Sequence, residues 1–295
     1  MKLVVLLGPT GVGKTDLSIS LAHALDSPVI SCDSRQIYKE MSIGTAVPSA
    51  EQLSSVRHYF IQSRSVTDNY DAYRYETEAL ELISSLFASG HESLVMCGGS
   101  MMYIDAVCNG IDDIPSIPPE LRNELNNLYR EKGLDPIREE LKVRDPEFYS
   151  TVDLNNTQRV IHALEVCRVS GQKYSSLRTN RKKKRDFDIV KVGLSRDREE
   201  LYRRIDCRVD MMLRDGLEEE VRSLSPLRGY NALNTVGYRE FFSYFDGKIP
   251  YEEAVRLIKR NSRHYARKQL TWFRRDGSIK WFHPEDVASI KEYIL

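Results

Sequence analysis

Gly8-Pro9-Thr10-Gly11-Val12-Gly13-Lys14-Thr15 follows the apolar run Leu3–Leu7 and precedes a helical pattern through Leu17, Ile19, Leu21, Ala22 and Leu25. Strand, glycine-rich turn and helix in this order form a phosphate-binding loop of the G-x-x-x-x-G-K-[ST] type. The glycines let backbone N–H groups converge on phosphate oxygens, and the helix N-terminus adds positive potential. Lys14 supplies a point charge and the Thr15 hydroxyl a ligand for Mg²⁺. The loop implies that a polyphosphate binds. It does not say whether phosphate is transferred, hydrolysed or expelled.

Around the loop the pattern alternates strand and helix. Pro28–Cys32 reads as a second strand ending at Asp33. Tyr73 to Ala88 reads as a helix stopped by Gly90, and Leu94–Cys97 as a buried strand ending in Gly98-Gly99-Ser100. This rhythm predicts an α/β fold, a P-loop NTPase-like parallel sheet flanked by helices. Ligands of such sheets sit beyond the carboxyl ends of the strands. The loop, Asp33-Ser34-Arg35-Gln36 and Gly98-Gly99-Ser100 all occupy such ends, so they are expected to share one crevice. Asp33 there is either a cap for the next turn or a general base, and position alone leaves both open.

The rhythm breaks at the proline-rich joint Ile114–Pro119. Helical patterns follow at Glu120–Lys132, Pro136–Leu141 and Thr157–Ser170, the last introduced by the N-cap candidates Asn155-Asn156. Residues 115–185 read as a helical insertion between the two parts of the core, 1–114 and 186–295. A strand at Ile189–Leu194, helices at 199–213, 218–224 and 251–274, and a last strand at 279–282 complete the pattern.

The chain has 295 residues with 43 Lys plus Arg and 43 Asp plus Glu, so a globally basic nucleic-acid binder is not indicated, although a local patch is allowed. No apolar run spans a bilayer and the N-terminus opens into a strand, so a cytoplasmic protein with no membrane contact is expected. The five cysteines form no C-x-x-C pair, which suggests neither a disulfide framework nor a zinc finger. His58 stands alone and reads as a structural residue. Arg256, Arg260, Arg263, Arg267 and Arg274 fall within about 60° of one helix face. Lys259 and Lys268 flank them, Ile258, Tyr265, Trp272 and Phe273 lie roughly opposite, and no acidic residue interrupts the stretch. Such a face points to phosphate or nucleic acid. The run Arg181–Arg185 is a weaker signal, equally consistent with a solvated loop.

Together these segments resemble the tRNA dimethylallyltransferases along nearly the whole chain. Gly8-Pro9-Thr10 with Gly13-Lys14-Thr15 is similar to the family's loop. Asp33-Ser34-Arg35-Gln36-Ile37-Tyr38 with Ile43-Gly44-Thr45-Ala46 is similar to its second motif, and Gly98-Gly99-Ser100-Met101-Met102-Tyr103 to a third. Gln158-Arg159 with Ala163–Val166, Val236–Glu240 and Arg263–Phe273 match further motifs. Ser100 stands where the family usually has Thr, and the zinc finger of eukaryotic relatives is missing, so the resemblance is to the bacterial type.

The resemblance implies transfer of a dimethylallyl group from dimethylallyl diphosphate to N6 of the adenine 3′ of the tRNA anticodon, with diphosphate leaving. It implies a monomer with Mg²⁺ on Thr15 and the loop holding a leaving group. It casts Asp33 as base, Thr10 as an orienting group and Arg208 as a cation near diphosphate. It assigns to RNA Asp33, Ser34, Arg35, Gln36, Ser100, Arg122, Thr157, Gln158, Arg159, Val160, Ile161, Asn234, Gly237, Tyr238, Arg239, Arg263, Arg267 and Lys268. The alternatives are an adenylate isopentenyltransferase that prenylates free AMP, ADP or ATP, a small-molecule P-loop kinase, and a non-enzymatic RNA-binding module. The first needs no RNA-gripping insertion or arginine stripe, the second does not account for the second motif, and the third leaves the loop and Asp33 unexplained.

Overall fold

Leu3 to Leu7 are apolar at every position because the strand they form is covered on both faces. In the computed structural model, which describes residues 1–179 and 181–295, six parallel strands form one sheet. They are β1 (Lys2–Leu7), β2 (Val29–Ser31), β3 (His58–Tyr59), β4 (Ser93–Gly98), β5 (Asp188–Leu194) and β6 (Lys280–Phe282), in the spatial order β3-β2-β4-β1-β5-β6. Leu3, Val5 and Leu7 pack with Ile30, Leu94 and Met96 on one face. Val4 and Leu6 pack with Val95, Val192 and Leu194 on the other. The register pairs Leu7 with both Gly98 and Gly193, and Ser31 with Cys97, so the carboxyl ends of four strands finish at one level. The parallel sheet read from the sequence is the one observed.

The helices are α1 (Lys14–Ala24), α2 (Ala50–Ser55), α3 (Ala72–Ala88), α4 (Met101–Asn109), α5 (Pro119–Lys132), α6 (Asp135–Arg144), α7 (Pro146–Thr151), α8 (Thr157–Ser170), α9 (Tyr174–Leu177), α10 (Arg198–Arg214), α11 (Leu217–Ser223), α12 (Tyr238–Phe245), α13 (Tyr251–Phe273) and α14 (Val287–Ile294). The sequence reading did not include α2, α4, α7, α9, α12 or α14. The aromatic run of α12, Tyr-Arg-Glu-Phe-Phe-Ser-Tyr-Phe, has little intrinsic helix preference. It is helical because Phe241, Tyr244 and Phe245 form a ring cluster with Tyr251. Among the described residues no helix is long and apolar enough to cross a membrane.

The chain divides into two units, residues 1–108 with 185–295, and residues 109–184. The second unit begins six residues before the insertion start read at 115 and ends one residue before its end read at 185. Its own core joins Leu125, Ile137, Leu141, Phe148, Val160, Leu164 and Cys167. Asn156 caps α8 by accepting the Arg159 N–H at 3.2 Å, and Asp145, fully buried, accepts from the N–H groups of Phe148 and Ser175. The basic run 181–185 is partly structural. Lys183 donates to Asp113 at 2.9 Å, and Arg185, nearly buried within the first unit, pairs with Glu76 and donates to the carbonyls of Ala106 and Val107.

Lys191 of β5, 9 % exposed, donates to Asp276, just beyond α13, at 2.6 Å. Burial opposes the Asp276 charge, but hydrogen bonds from Lys191 and Ser278 outweigh it and hold the carboxyl down at about 2. Its folded value lies below the unfolded one, so the stabilisation is present above about pH 4 and is lost as pH falls towards 2. Asp276→Asn is expected to cost about 2–4 kcal/mol at pH 7, because it leaves a buried ammonium without its carboxylate. Urea titration at pH 7 and pH 3 checks this: the gap between wild type and variant should shrink at the lower pH.

Candidate active site

The phosphate loop joins β1 to α1. Gly13 precedes the helix with φ of 105°, a left-handed conformation that only glycine adopts without strain. A loop whose amides serve a ligand leaves its carbonyls to find other partners, and here each carbonyl from Gly8 to Val12 except that of Thr10 meets a cation. Lys14 donates to Gly8 O at 3.0 Å and Pro9 O at 2.8 Å, Arg204 to Gly11 O at 2.9 Å and Arg196 to Val12 O at 3.0 Å. Arg208, one turn beyond Arg204 on α10, reaches the Thr10 hydroxyl and the Thr45 carbonyl, each at 3.4 Å. Burial pulls the Lys14 ammonium below its ordinary range, against the pull of Cys97 and Asp33. Burial likewise lowers Arg208, with Asp33 opposing. Lys14, Arg208 and Asp33 are therefore near enough for each cation to feel the carboxylate.

Asp33 follows β2. Its Oδ1 accepts the N–H groups of Arg35 at 2.9 Å and Gln36 at 3.3 Å, so it does cap the following turn. That uses one carboxylate oxygen. Among the described residues Oδ2 accepts no hydrogen bond, so capping and base chemistry are compatible. Ser100, at the end of β4, accepts the Ser34 N–H at 2.8 Å and donates to the Ser34 hydroxyl at 3.0 Å. Ser100 is 6 % exposed and supports the turn rather than presenting itself to solvent. Gln36 donates to the carbonyls of Thr45 and Ala46, and Arg35 to that of Asn231.

Two site residues, Glu220 and Gln269, had no role in the sequence reading, and a third, Tyr265, had a different one. Glu220 of α11 accepts the consecutive N–H groups of Ser42, Ile43 and Gly44 at 2.7–2.9 Å and the Tyr238 hydroxyl at 2.6 Å. It thereby holds the loop whose Thr45 carbonyl meets Gln36 and Arg208. In sequence it is one of three successive glutamates opening a helix, an ordinary pattern there. Gln269 of α13 joins Thr10 to Gly99. Tyr265, one turn before it, was expected to help dock the helix. The residue is instead 36 % exposed, with its hydroxyl near enough to Asp33, Arg35 and Ser100 to feel them. Burial, then the Asp33 charge, push that hydroxyl up to about 12.

Several residues expected at RNA have other positions. Val160 and Ile161 lie in the second unit's core because α8 turns that face inwards, leaving Gln158 and Arg159 exposed and Thr157 half-buried. Tyr238 is fully buried against Glu220, and Gly237 is buried with its N–H on Glu240, while Asn234 and Arg239 are exposed. Arg122 pairs with Glu165 at 3.2 Å. On α13, Arg263 pairs with Asp206 at 2.5 Å and lies over the Tyr202 ring, Lys259 pairs with Asp210, and Arg256 with Glu253. The acids absent from the stripe itself come largely from α10. Arg267 and Lys268 are exposed. The potential there is positive: His264 lies below its ordinary range through desolvation and then through Arg267, Arg260, Arg263 and Lys268.

Among the described residues no group of three or more His, Cys, Asp or Glu could hold a metal. The crevice instead offers the Thr15 hydroxyl in the first turn of α1, close to where phosphate oxygens would lie. Mg²⁺ is commonly held by one or two protein oxygens with phosphates and water, so this donor set fits it.

A family model described as IPP transferase matches residues 36–276. The chain is 57 % identical over 283 residues to "tRNA dimethylallyltransferase 1" of Porphyromonas gingivalis, covering 96 % of this chain and 94 % of that protein. It is 55 % identical over 288 residues to "tRNA dimethylallyltransferase 2" of Parabacteroides distasonis, covering 98 % and 96 %. Among solved structures, a tRNA isopentenylpyrophosphate transferase of Bacillus halodurans superposes with a TM-score of 0.71 at 33 % identity, covering 99 % of this chain and 95 % of that one. A eukaryotic dimethylallyltransferase acting on tRNA superposes at 0.81 and 26 % identity, covering 99 % and 76 %.

Glu220→Gln confronts three amide donors with a side chain that accepts through one oxygen only. The expected loss is about 2–3 kcal/mol in chemical denaturation. Limited proteolysis should show new cleavage at residues 42–46, and an unchanged digest would remove Glu220 from the support of that loop.

Proposed function

The chain belongs to the IPP transferase family, and from that premise we propose that it transfers a dimethylallyl group from dimethylallyl diphosphate to N6 of the adenine next to the anticodon in tRNA. The observation that carries this reading is a diphosphate-type loop, with Lys14 in it and Arg208 on its Thr10 hydroxyl, at the same level of the sheet as the turn that Asp33 caps. The C–O bond to diphosphate breaks, the carbon–N6 bond forms, and the N6 proton passes to a base. Adenine N6 is a weak nucleophile because its lone pair is delocalised into the ring, so the base is needed as bonding proceeds.

Asp33 is that base, acting through Oδ2 while Oδ1 holds the turn. The loop amides, Lys14 and Arg208 receive the charge that grows on diphosphate, and the fixed positions of the loop carbonyls mean little reorganisation is needed. Thr10, held between Gln269 and Arg208, orients the reacting groups. Mg²⁺ on Thr15 would supply further positive charge against the leaving diphosphate. The adenine must leave its stack, which costs least in a single-stranded loop such as the anticodon loop. Arg267 and Lys268, with Gln158, Arg159, Asn234 and Arg239, are the exposed groups assigned to the RNA, and Tyr265 offers a ring to an unstacked base. The protein acts in the cytoplasm as a monomer.

The deciding experiment offers unmodified tRNA and AMP side by side with prenyl-labelled dimethylallyl diphosphate and Mg²⁺. Label in tRNA alone is expected; label in AMP would move the assignment to free nucleotides. Asp33→Ala should lower turnover by at least about a hundredfold with little change in tRNA affinity. A collapse of tRNA binding would make Asp33 a recognition residue instead. Arg267→Ala with Lys268→Ala should weaken RNA binding and reduce the slope of log affinity against log salt by about one to one and a half. An unchanged slope would take both residues out of the interface.

A further inference from the structure

Gln269 is 2 % exposed on the inner side of α13. Its Oε1 accepts the Thr10 N–H at 2.9 Å, and its Nε2 donates to the Gly99 carbonyl at 2.8 Å. An amide has one accepting and one donating end, so the two bonds together determine which way it faces. A Cβ on Gly99 would stand 2.4 Å from Nε2, so the glycine at that strand end leaves the amide its room. With its N–H on Gln269, Thr10 adds no amide to an anion in the loop, and its hydroxyl is held separately by Arg208.

We propose that Gln269 is a positioning residue for the donor loop: from the helix that carries Arg267 and Lys268, it fixes the Thr10 backbone and with it the place of the Thr10 hydroxyl. This rests on the reading of the loop as a diphosphate site. Gln269 touches no reacting atom and acts through Thr10. A part-buried Thr10 N–H left without its acceptor would seek another, and a loop that turned to supply one would no longer hold the Thr10 hydroxyl in place.

Three variants of the full chain test this. Gln269→Leu removes both bonds at similar bulk, Gln269→Glu keeps the acceptor for Thr10, and Gly99→Ala displaces the amide from the strand side. Each is titrated with inorganic diphosphate and Mg²⁺ by calorimetry and assayed for prenyl transfer to tRNA. Gln269→Leu is expected to bind diphosphate about tenfold more weakly, to raise the KM for the prenyl donor and lower kcat, and to leave the KM for tRNA within about twofold. Gln269→Glu should recover most of the diphosphate affinity, and the Gly99→Ala, Gln269→Leu double variant should be no worse than the poorer single one. The proposal is overturned if Gln269→Leu binds diphosphate as the wild type does, if Gln269→Glu is no better than Gln269→Leu, or if the tRNA KM moves in step with the donor KM, as a general loosening of the fold would make it. Wild-type protein that binds diphosphate but prenylates no tRNA would defeat the functional reading and leave the role of Gln269 to the calorimetry.

Discussion

A backbone loop that aims its amides at an anion must aim its carbonyls somewhere else, and much of this structure answers where. Lys14 covers Gly8 and Pro9 from inside the motif, while Arg204 and Arg196 cover Gly11 and Val12 from the far side of the chain. Arg204 is held because α10 packs Leu201 and Ile205 against the same apolar face as Val4, Leu6 and Val12, and Arg196, just before that helix, pairs with Glu200 on it. The concave face of the loop is thus shaped before any ligand arrives. Polarity in the crevice follows from the same requirement, since each arginine that satisfies a carbonyl also adds charge beside the site.

The second half of the site depends on a carboxylate used twice over. Asp33 caps its own turn with one oxygen, and among the described residues the other accepts no hydrogen bond. Ser100 braces that turn from β4, and Gln36 extends it to the loop that Glu220 holds. Strand ends that finish at one level make these short links possible. A slip of one residue in any pairing would carry the turn about 3.3 Å along the sheet and break them.

Local patterns in the sequence reached the parts that depend on periodicity and motif. The parallel sheet, the loop and the place of Asp33 at a strand end were legible because each is announced by residues close together in the chain, whereas Arg208 entered only through the family resemblance. Glu220, Gln269 and the hydroxyl of Tyr265 were not legible. Their partners are backbone groups or side chains tens to hundreds of residues away, and nothing local distinguishes them from a helix-opening acid, a surface amide and a packing ring. The arginine stripe illustrates the opposite error. Read along one helix it looks uncompensated, but Asp206 and Asp210 arrive from α10 in three dimensions and leave Arg267 and Lys268 at the surface. Val160, Ile161 and Tyr238 were placed at RNA through the motifs that contain them, whereas burial assigns their side chains to packing.

The unbroken course of α13 from Tyr251 to Phe273 sets a condition on how such a chain can diverge. Each added or deleted residue turns everything beyond it by about 100°. Inside this helix an indel would send the outward cations towards the core or swing Tyr265 and Gln269 out of the crevice, whatever the substituting residue. Point changes on its solvent side are cheap by comparison. Length variation among relatives should therefore gather in the connections before Tyr251 and after Phe273, and the helix itself should behave as a ruler whose graduations cannot be moved singly.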